Sequence, residues 1–189
     1  ESMGLNLFKG KGKCANCHVL DPQADGKPPL LTDYSFDNLG IPRNPENPFY
    51  TQTDFNPQGL AWLDLGLGEF LMSRMDYVQF SAENLGKQKV PTLRNVDKRP
   101  HEGFVKAYGH NGYFKSLEGI VHFYNTRDIK PPCLSPLTPE VDALAQGCWP
   151  QPEVPLNINR TEIGNLHLTG VQEDAIVAFL KTLSDGYQP

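Results

Sequence analysis

No apolar stretch in this 189-residue chain approaches the roughly 20 residues that cross a bilayer, so no transmembrane segment is expected. The longest stretches, such as Ala175 to Leu180, are short and amphipathic. Basic residues are few: 17 Lys and Arg stand against 22 Asp and Glu, a net charge of −5 with neutral histidines. Phosphate backbones need a basic footprint, so the balance argues against nucleic acid as a partner. The chain has no internal repeat and no low-complexity tract, which sets aside repeat arrays and compositional tails. Nor does it open with an initiator methionine or a signal peptide; Glu1-Ser2-Met3 suits a processed chain or a piece of a longer one. What it has in quantity is turn-forming residues. Glycine and proline contribute 17 residues each and predict much irregular backbone. With 39% hydrophobic residues, the length suits one domain, 1–189, with room for large insertions.

Only four cysteines are present, and two of them carry the strongest signal. Cys14-Ala15-Asn16-Cys17-His18 is a C-x-x-C-H, the attachment signature for a c-type haem. The two thiols add to the haem vinyl groups as thioethers, and the adjacent histidine reaches the iron. Two other readings compete. A C-x-x-C redox pair belongs near a βαβ pattern, and none is visible. A zinc site needs a second pair at short spacing, whereas Cys133 and Cys148 stand far apart without a flanking ligand motif. One covalent haem c is therefore the expected cofactor. Such attachment happens outside the cytoplasm, where disulfides persist, so the expected location is periplasmic or extracellular. Cys133 and Cys148 then become a candidate disulfide, worth about 3 kcal/mol in the chain-entropy model, with two free buried thiols as the alternative. Both lie in a Pro-rich excursion that shows no obvious core element, and the bridge reads as structural.

Gly4 to Lys13 reads as a first helix with Leu5 and Phe8 on one face. From about 20 to 90 periodicity is poor and turn pairs are dense, including Asp25-Gly26, Ile41-Pro42, Asn44-Pro45 and Asn56-Pro57. That segment is expected to drape over the cofactor as an ordered loop region with short helical turns. Ser116 looks like an N-cap for a helix with Leu117, Ile120, Val121 and Tyr124 on one face. Thr161 to Leu168 is too short to assign. Gln172 to Ser184 is the clearest helix, with Ile176, Phe179, Leu180 and Leu183 aligned and Asp185-Gly186 as its stop. The expected fold is mostly α: a class I cytochrome c-like helical fold around one haem, with long irregular insertions at about 20–90 and 126–160. In such folds the first and last helices cross at a small residue. Gly4, with Phe8 facing Phe179, fits that crossing.

With these pieces assembled, the chain resembles the C-terminal haem domain of the bacterial di-haem cytochrome c peroxidase and MauG family. Gly4 to Lys13 leads into the haem motif, and Thr32-Asp33-Tyr34-Ser35-Phe36-Asp37-Asn38-Leu39-Gly40 looks like the family's F-T-D…F-x-N-x-G segment. Val90-Pro91-Thr92-Leu93-Arg94-Asn95-Val96 is similar to V-P-T-L-R-N-V, and His110-Asn111-Gly112 precedes the middle helix. The departures matter equally. The family has two haem domains and this chain has one C-x-x-C-H, so the half that performs peroxide chemistry would have to come from a partner. The family's calcium is not carried over, because an insertion (His101 to Lys106) interrupts the region that holds it.

His18 is the expected proximal ligand, its second ring nitrogen bonded to a backbone carbonyl. Pro91 is the candidate carbonyl, because P-T-L resembles the proline–x–leucine segment of class I cytochromes; Leu93 would pack on the haem and Arg94 would pair a propionate. The alternative for Arg94 is a surface ion pair. For the distal position the family uses a methionine, or a tyrosine in MauG, and counting through the helix after H-N-G reaches Tyr124. Its alternative is a core aromatic. Met72 and Met75 are rivals, since Met–His ligation suits an electron carrier. His122 lies off the apolar stripe, His110 belongs to a turn, and His101 and His167 have no supporting pattern. The expected function is a monohaem electron-transfer protein with a redox partner protein, which could be another haem subunit. The alternatives are a peroxide-reducing enzyme, for which Glu83, His110 and His122 are conceivable acid–base groups, or a haem subunit of a larger assembly.

Overall fold

The computed structural model describes residues 1–185, so Gly186 of the expected helix stop lies outside the described residues. The regular elements are α1 (Ser2–Lys9), β1 (Phe36–Asp37), α2 (Leu67–Met72), β2 (Gln88–Lys89), α3 (Leu117–Thr126), α4 (Glu140–Gln146) and α5 (Gly170–Leu180). β1 and β2 form a minimal antiparallel pair with Phe36 opposite Lys89. Single 3-10 turns, including Cys14–Asn16, punctuate the rest. Among the described residues no helix is long and apolar enough to cross a membrane.

α1 and α5 cross as the small residue at Gly4 requires. A Cβ there would stand 1.9 Å from the Ala175 carbonyl oxygen and 2.7 Å from Phe179 Cβ. One turn on, the Phe8 and Phe179 rings meet edge to face at 5.1 Å between centroids. α1 is shorter than its sequence suggests. Gly10 ends it, and Gly12 N–H folds back to the Leu7 carbonyl at 2.8 Å, so the Gly-Lys-Gly-Lys run becomes a turn into the haem motif. α5 instead starts two residues early, at Gly170: Thr169 caps it in a reciprocal capping box with Gln172, the expected first residue, and the helix stops at Leu180. The segment 161–168 contains no helix.

Ser116 caps α3 as expected, its Oγ accepting from Gly119 N–H at 3.0 Å. The helix has a second apolar face that the stripe from Leu117 to Tyr124 did not reveal. Phe123 is fully buried and meets Phe114 at 5.0 Å and Trp149 at 5.2 Å. Trp149 belongs to the 126–160 excursion, which corrects the expectation that this segment lacks a core element. Cys133 and Cys148 are bridged with Cα atoms 5.0 Å apart, and they pin Trp149 over the α3 face. The indole Nε1–H donates to Thr126 Oγ1 at 3.0 Å, satisfying the polar handle of a buried ring.

Candidate functional site

A cavity of about 630 Å³ opens between the Cys14–Asn16 turn, the 88–96 and 106–110 segments, α3 and α5. Its volume lies within the ordinary range of cofactor sites. All seven expected site residues line it: Cys14, Cys17, His18, Pro91, Leu93, Arg94 and Tyr124. Leu39, Ile41, Ile120, Val121, Leu166, Leu168, Ile176 and Leu180 supply much of the apolar wall.

The 3-10 turn brings both thiols and His18 together, with His18 N–H bonded to the Cys14 carbonyl at 2.9 Å. Burial pushes the Cys14 thiol up to about 12. Burial, reinforced by the Glu162, Asp33 and Asp37 carboxylates, pushes Cys17 up to about 11. A C-x-x-C redox pair works by lowering thiol pKa, so this environment opposes that reading. Burial also lowers the His18 pKa, against the pull of the Leu31 carbonyl.

That carbonyl corrects one expectation. His18 Nδ1 bonds the Leu31 carbonyl oxygen at 2.8 Å, while the Pro91 carbonyl exerts only a weaker pull on the same ring. The reason is a two-way stitch between segments. Thr32 Oγ1 donates to the Val90 carbonyl at 2.7 Å and Thr92 Oγ1 to the Leu30 carbonyl at 2.5 Å, laying both stretches beside the imidazole. Leu31 adopts φ 56° and so turns its carbonyl inward. With Nδ1 as donor, Nε2 is left as the nitrogen with a free lone pair.

Tyr124 stands on the α3 face of the cavity. Burial raises its phenol pKa, and among the described residues its hydroxyl has no hydrogen-bond partner. Met72 and Met75 are 45% and 94% exposed and do not line the cavity. Arg94 lines the cavity with its guanidinium 3.5 Å from Asp185, so both of its expected roles remain within reach. His122 is paired with Glu173 at 3.0 Å away from the cavity; exposed His101, His167 and Glu83 are also off it. His110, by contrast, lines the cavity with Glu153 behind it at 2.9 Å. Leu31 and Glu153 are the residues sequence reasoning missed. A carbonyl acceptor has no side-chain signature, and Glu153 sits in an excursion with no readable pattern.

The donor set suits the group implied by the motif: two thiols on one turn, an imidazole fixed by its Nδ1 and a phenol without a hydrogen-bond partner among the described residues all line one largely apolar cavity of about 630 Å³. Site and architecture together define a mostly helical, cytochrome c-like haem fold. Comparison with known proteins adds the family. No protein-family model matches the chain. It is 32% identical to the methylamine utilization protein MauG of Paracoccus denitrificans, over 100% of this chain and 43% of that protein. It is 27% identical to the cytochrome-c peroxidase IdrP2 of Pseudomonas sp. strain SCT, over 96% of this chain and 38% of that one. The crystal structure of the di-haem peroxidase BthA from Burkholderia thailandensis superposes with a TM-score of 0.65 at 24% identity, covering 98% of this chain and 42% of BthA. The chain is thus homologous to MauG and the di-haem cytochrome c peroxidases, matching their C-terminal haem domain. It spans less than half the length of the curated relatives it matches.

Proposed function

We propose that the chain is a c-type cytochrome domain that passes electrons through one covalently attached, six-coordinate haem. The observation that carries this reading is the convergence of Cys14, Cys17, His18 and Tyr124 on one apolar cavity, with Met72 and Met75 outside it. When bound, haem c supplies a one-electron iron couple. Cys14 and Cys17 would tether it, and His18 would present Nε2 because the Leu31 carbonyl occupies Nδ1. Tyr124 would be the second iron ligand, its phenol having no hydrogen-bond partner among the described residues. Leu93, Ile120 and Val121 line the cavity and would keep water from the bound group, and Arg94 would meet a propionate.

The partner in this reading is a redox protein, which includes another haem subunit, in the periplasm or outside the cell. A peroxide-reducing enzyme is the second reading. It is favoured by the names of the relatives and by His110 on the cavity wall. Visible and EPR spectra with and without hydrogen peroxide separate the two. A low-spin ferric spectrum indifferent to peroxide is expected; high-spin iron that reacts promptly would overturn the carrier reading. Tyr124→Phe should change the low-spin spectrum, and an unchanged one would remove Tyr124 as ligand. Cys17→Ala should lose covalent loading.

A further inference from the structure

Besides His18, one histidine among the described residues lines the cavity, and a buried carboxylate stands directly behind it. We propose that this pair, His110 with Glu153, takes up one proton when the bound haem is reduced and releases it on oxidation. The inference rests on the haem reading above and concerns the regulation of the same site.

The geometry is that of a held imidazole. Nε2 lies 2.9 Å from Glu153 Oε2, with the His110 side chain 15% exposed and that of Glu153 only 2%. Glu153 is itself fixed from three directions. Asn111 Nδ2 donates to Oε2 at 2.9 Å, Asp64 N–H to Oε1 at 3.2 Å, and its own N–H to the Ile41 carbonyl at 3.0 Å. Burial raises the Glu153 pKa, but the bonds from His110, Asp64 and Asn111 outweigh it and keep the carboxyl below its ordinary range. One negative charge therefore sits behind the ring. His110 Nδ1 has no partner among the described residues, and the side chain is 15% exposed, so the ring can exchange protons with water.

The other charged or titratable groups on the packed segments are Arg43, Glu46 and Asp64 from the loop side, and Lys106 and Tyr108 on the same segment as His110. Lys115 pairs with Glu46 at 3.5 Å, and Lys89 and Arg94 stand on the cavity wall. Of these groups, imidazole is the one whose ordinary range falls between about pH 5 and 8. An electron entering the cavity lowers its charge by one. In a poorly screened interior that favours a proton on the nearest free basic atom, His110 Nδ1. The step balances: one electron comes from a one-electron donor protein, one proton comes from solvent, and one N–H bond forms. Oxidation returns both.

The test is the reduction equilibrium of the haem-loaded protein between about pH 5 and 8. In the wild type the reduced form should become about tenfold less favoured per pH unit while the ring titrates, or 59 mV for a one-electron couple. His110→Gln should flatten the profile. Glu153→Gln should favour reduction at the alkaline end, where a buried negative charge is lost, and also reduce the slope. His122→Gln, whose ring lies off the cavity, should keep the wild-type profile. A flat wild-type profile, or an undiminished slope in His110→Gln, overturns the proposal. Should His110→Gln fail to load, the wild-type and Glu153→Gln profiles still decide. A chain that attaches no haem at all would instead overturn the reading on which this rests.

Discussion

The helical side of the cavity, α1 with α3 and α5, and the loop side, residues 20–96 with 126–160, satisfy their backbones by different means. Helices bond their own peptide groups, so their side chains are free to pack: Phe8, Leu117, Val121, Ile176 and Leu180 do nothing else. The loop side has almost no ladder, and buried polar side chains take its place. Asn38 Nδ2 donates to the Val154 and Leu156 carbonyls at 3.0 and 2.7 Å, Asn44 Nδ2 donates to the Asn111 carbonyl, and Asn111 Nδ2 donates to the Pro42 carbonyl. Arg127, 8% exposed, donates to the carbonyls of Leu39, Asn159 and Ile163. A cofactor wall can thus be apolar packing or borrowed amides. The first fails when a side chain is too large, the second when one is missing.

Gly4→Ala should break the helical side hardest. Helix propensity alone would make the change favourable by about 1 kcal/mol. The Cβ would stand 1.9 Å from the Ala175 carbonyl, so a loss of about 3 kcal/mol or more is expected by denaturant titration. A neutral result would mean the crossing yields. On the loop side, replacing Cys133 and Cys148 with Ser should cost about 3 kcal/mol, and near-UV circular dichroism should report a loosened Trp149. A smaller loss would show that the aromatic cluster, not the bridge, holds the excursion. Asn38→Ala leaves two carbonyls and the Gly40 N–H without their partner and should cost about 2 kcal/mol.

An acid titration sharpens the same contrast. The Glu153 pKa is lowered in the folded protein, so its contribution is complete above the ordinary carboxyl range and is lost as pH falls through the lowered value. Glu153→Gln should remove that acid sensitivity; a variant as acid-sensitive as the parent would place the titration elsewhere. Thr169→Ala, which deletes one half of the α5 capping box, should give the smallest effect, about 1 kcal/mol in thermal or denaturant unfolding.

The helical side was readable because period and capping are local properties. The stripe on α3, the Ser116 cap and the Gly4 crossing are all set by residues a few positions apart, and the helix boundaries differ from the sequence pattern at Gly10, Thr169 and Leu180. The second face of α3 was not readable, since Phe123 owes its burial to Trp149, a ring from another segment. Nor was the loop side. An asparagine that bonds a distant carbonyl looks in sequence like any turn residue, and only the approach of the 150–159 segment makes Asn38 a buried donor.

The sequence by itself determined the haem motif with His18, the three main helices and their crossing, and the order of family-like segments leading to Tyr124. These follow from covalent neighbours and helical periodicity. The tertiary structure alone decided that Leu31 rather than Pro91 makes the short bond to His18, that Met72 and Met75 stand outside the cavity, and that Glu153 backs His110. Each of those depends on where two remote stretches of irregular backbone meet. Their meeting is set by threonine, asparagine and arginine side chains reaching across the gap, which no local pattern records.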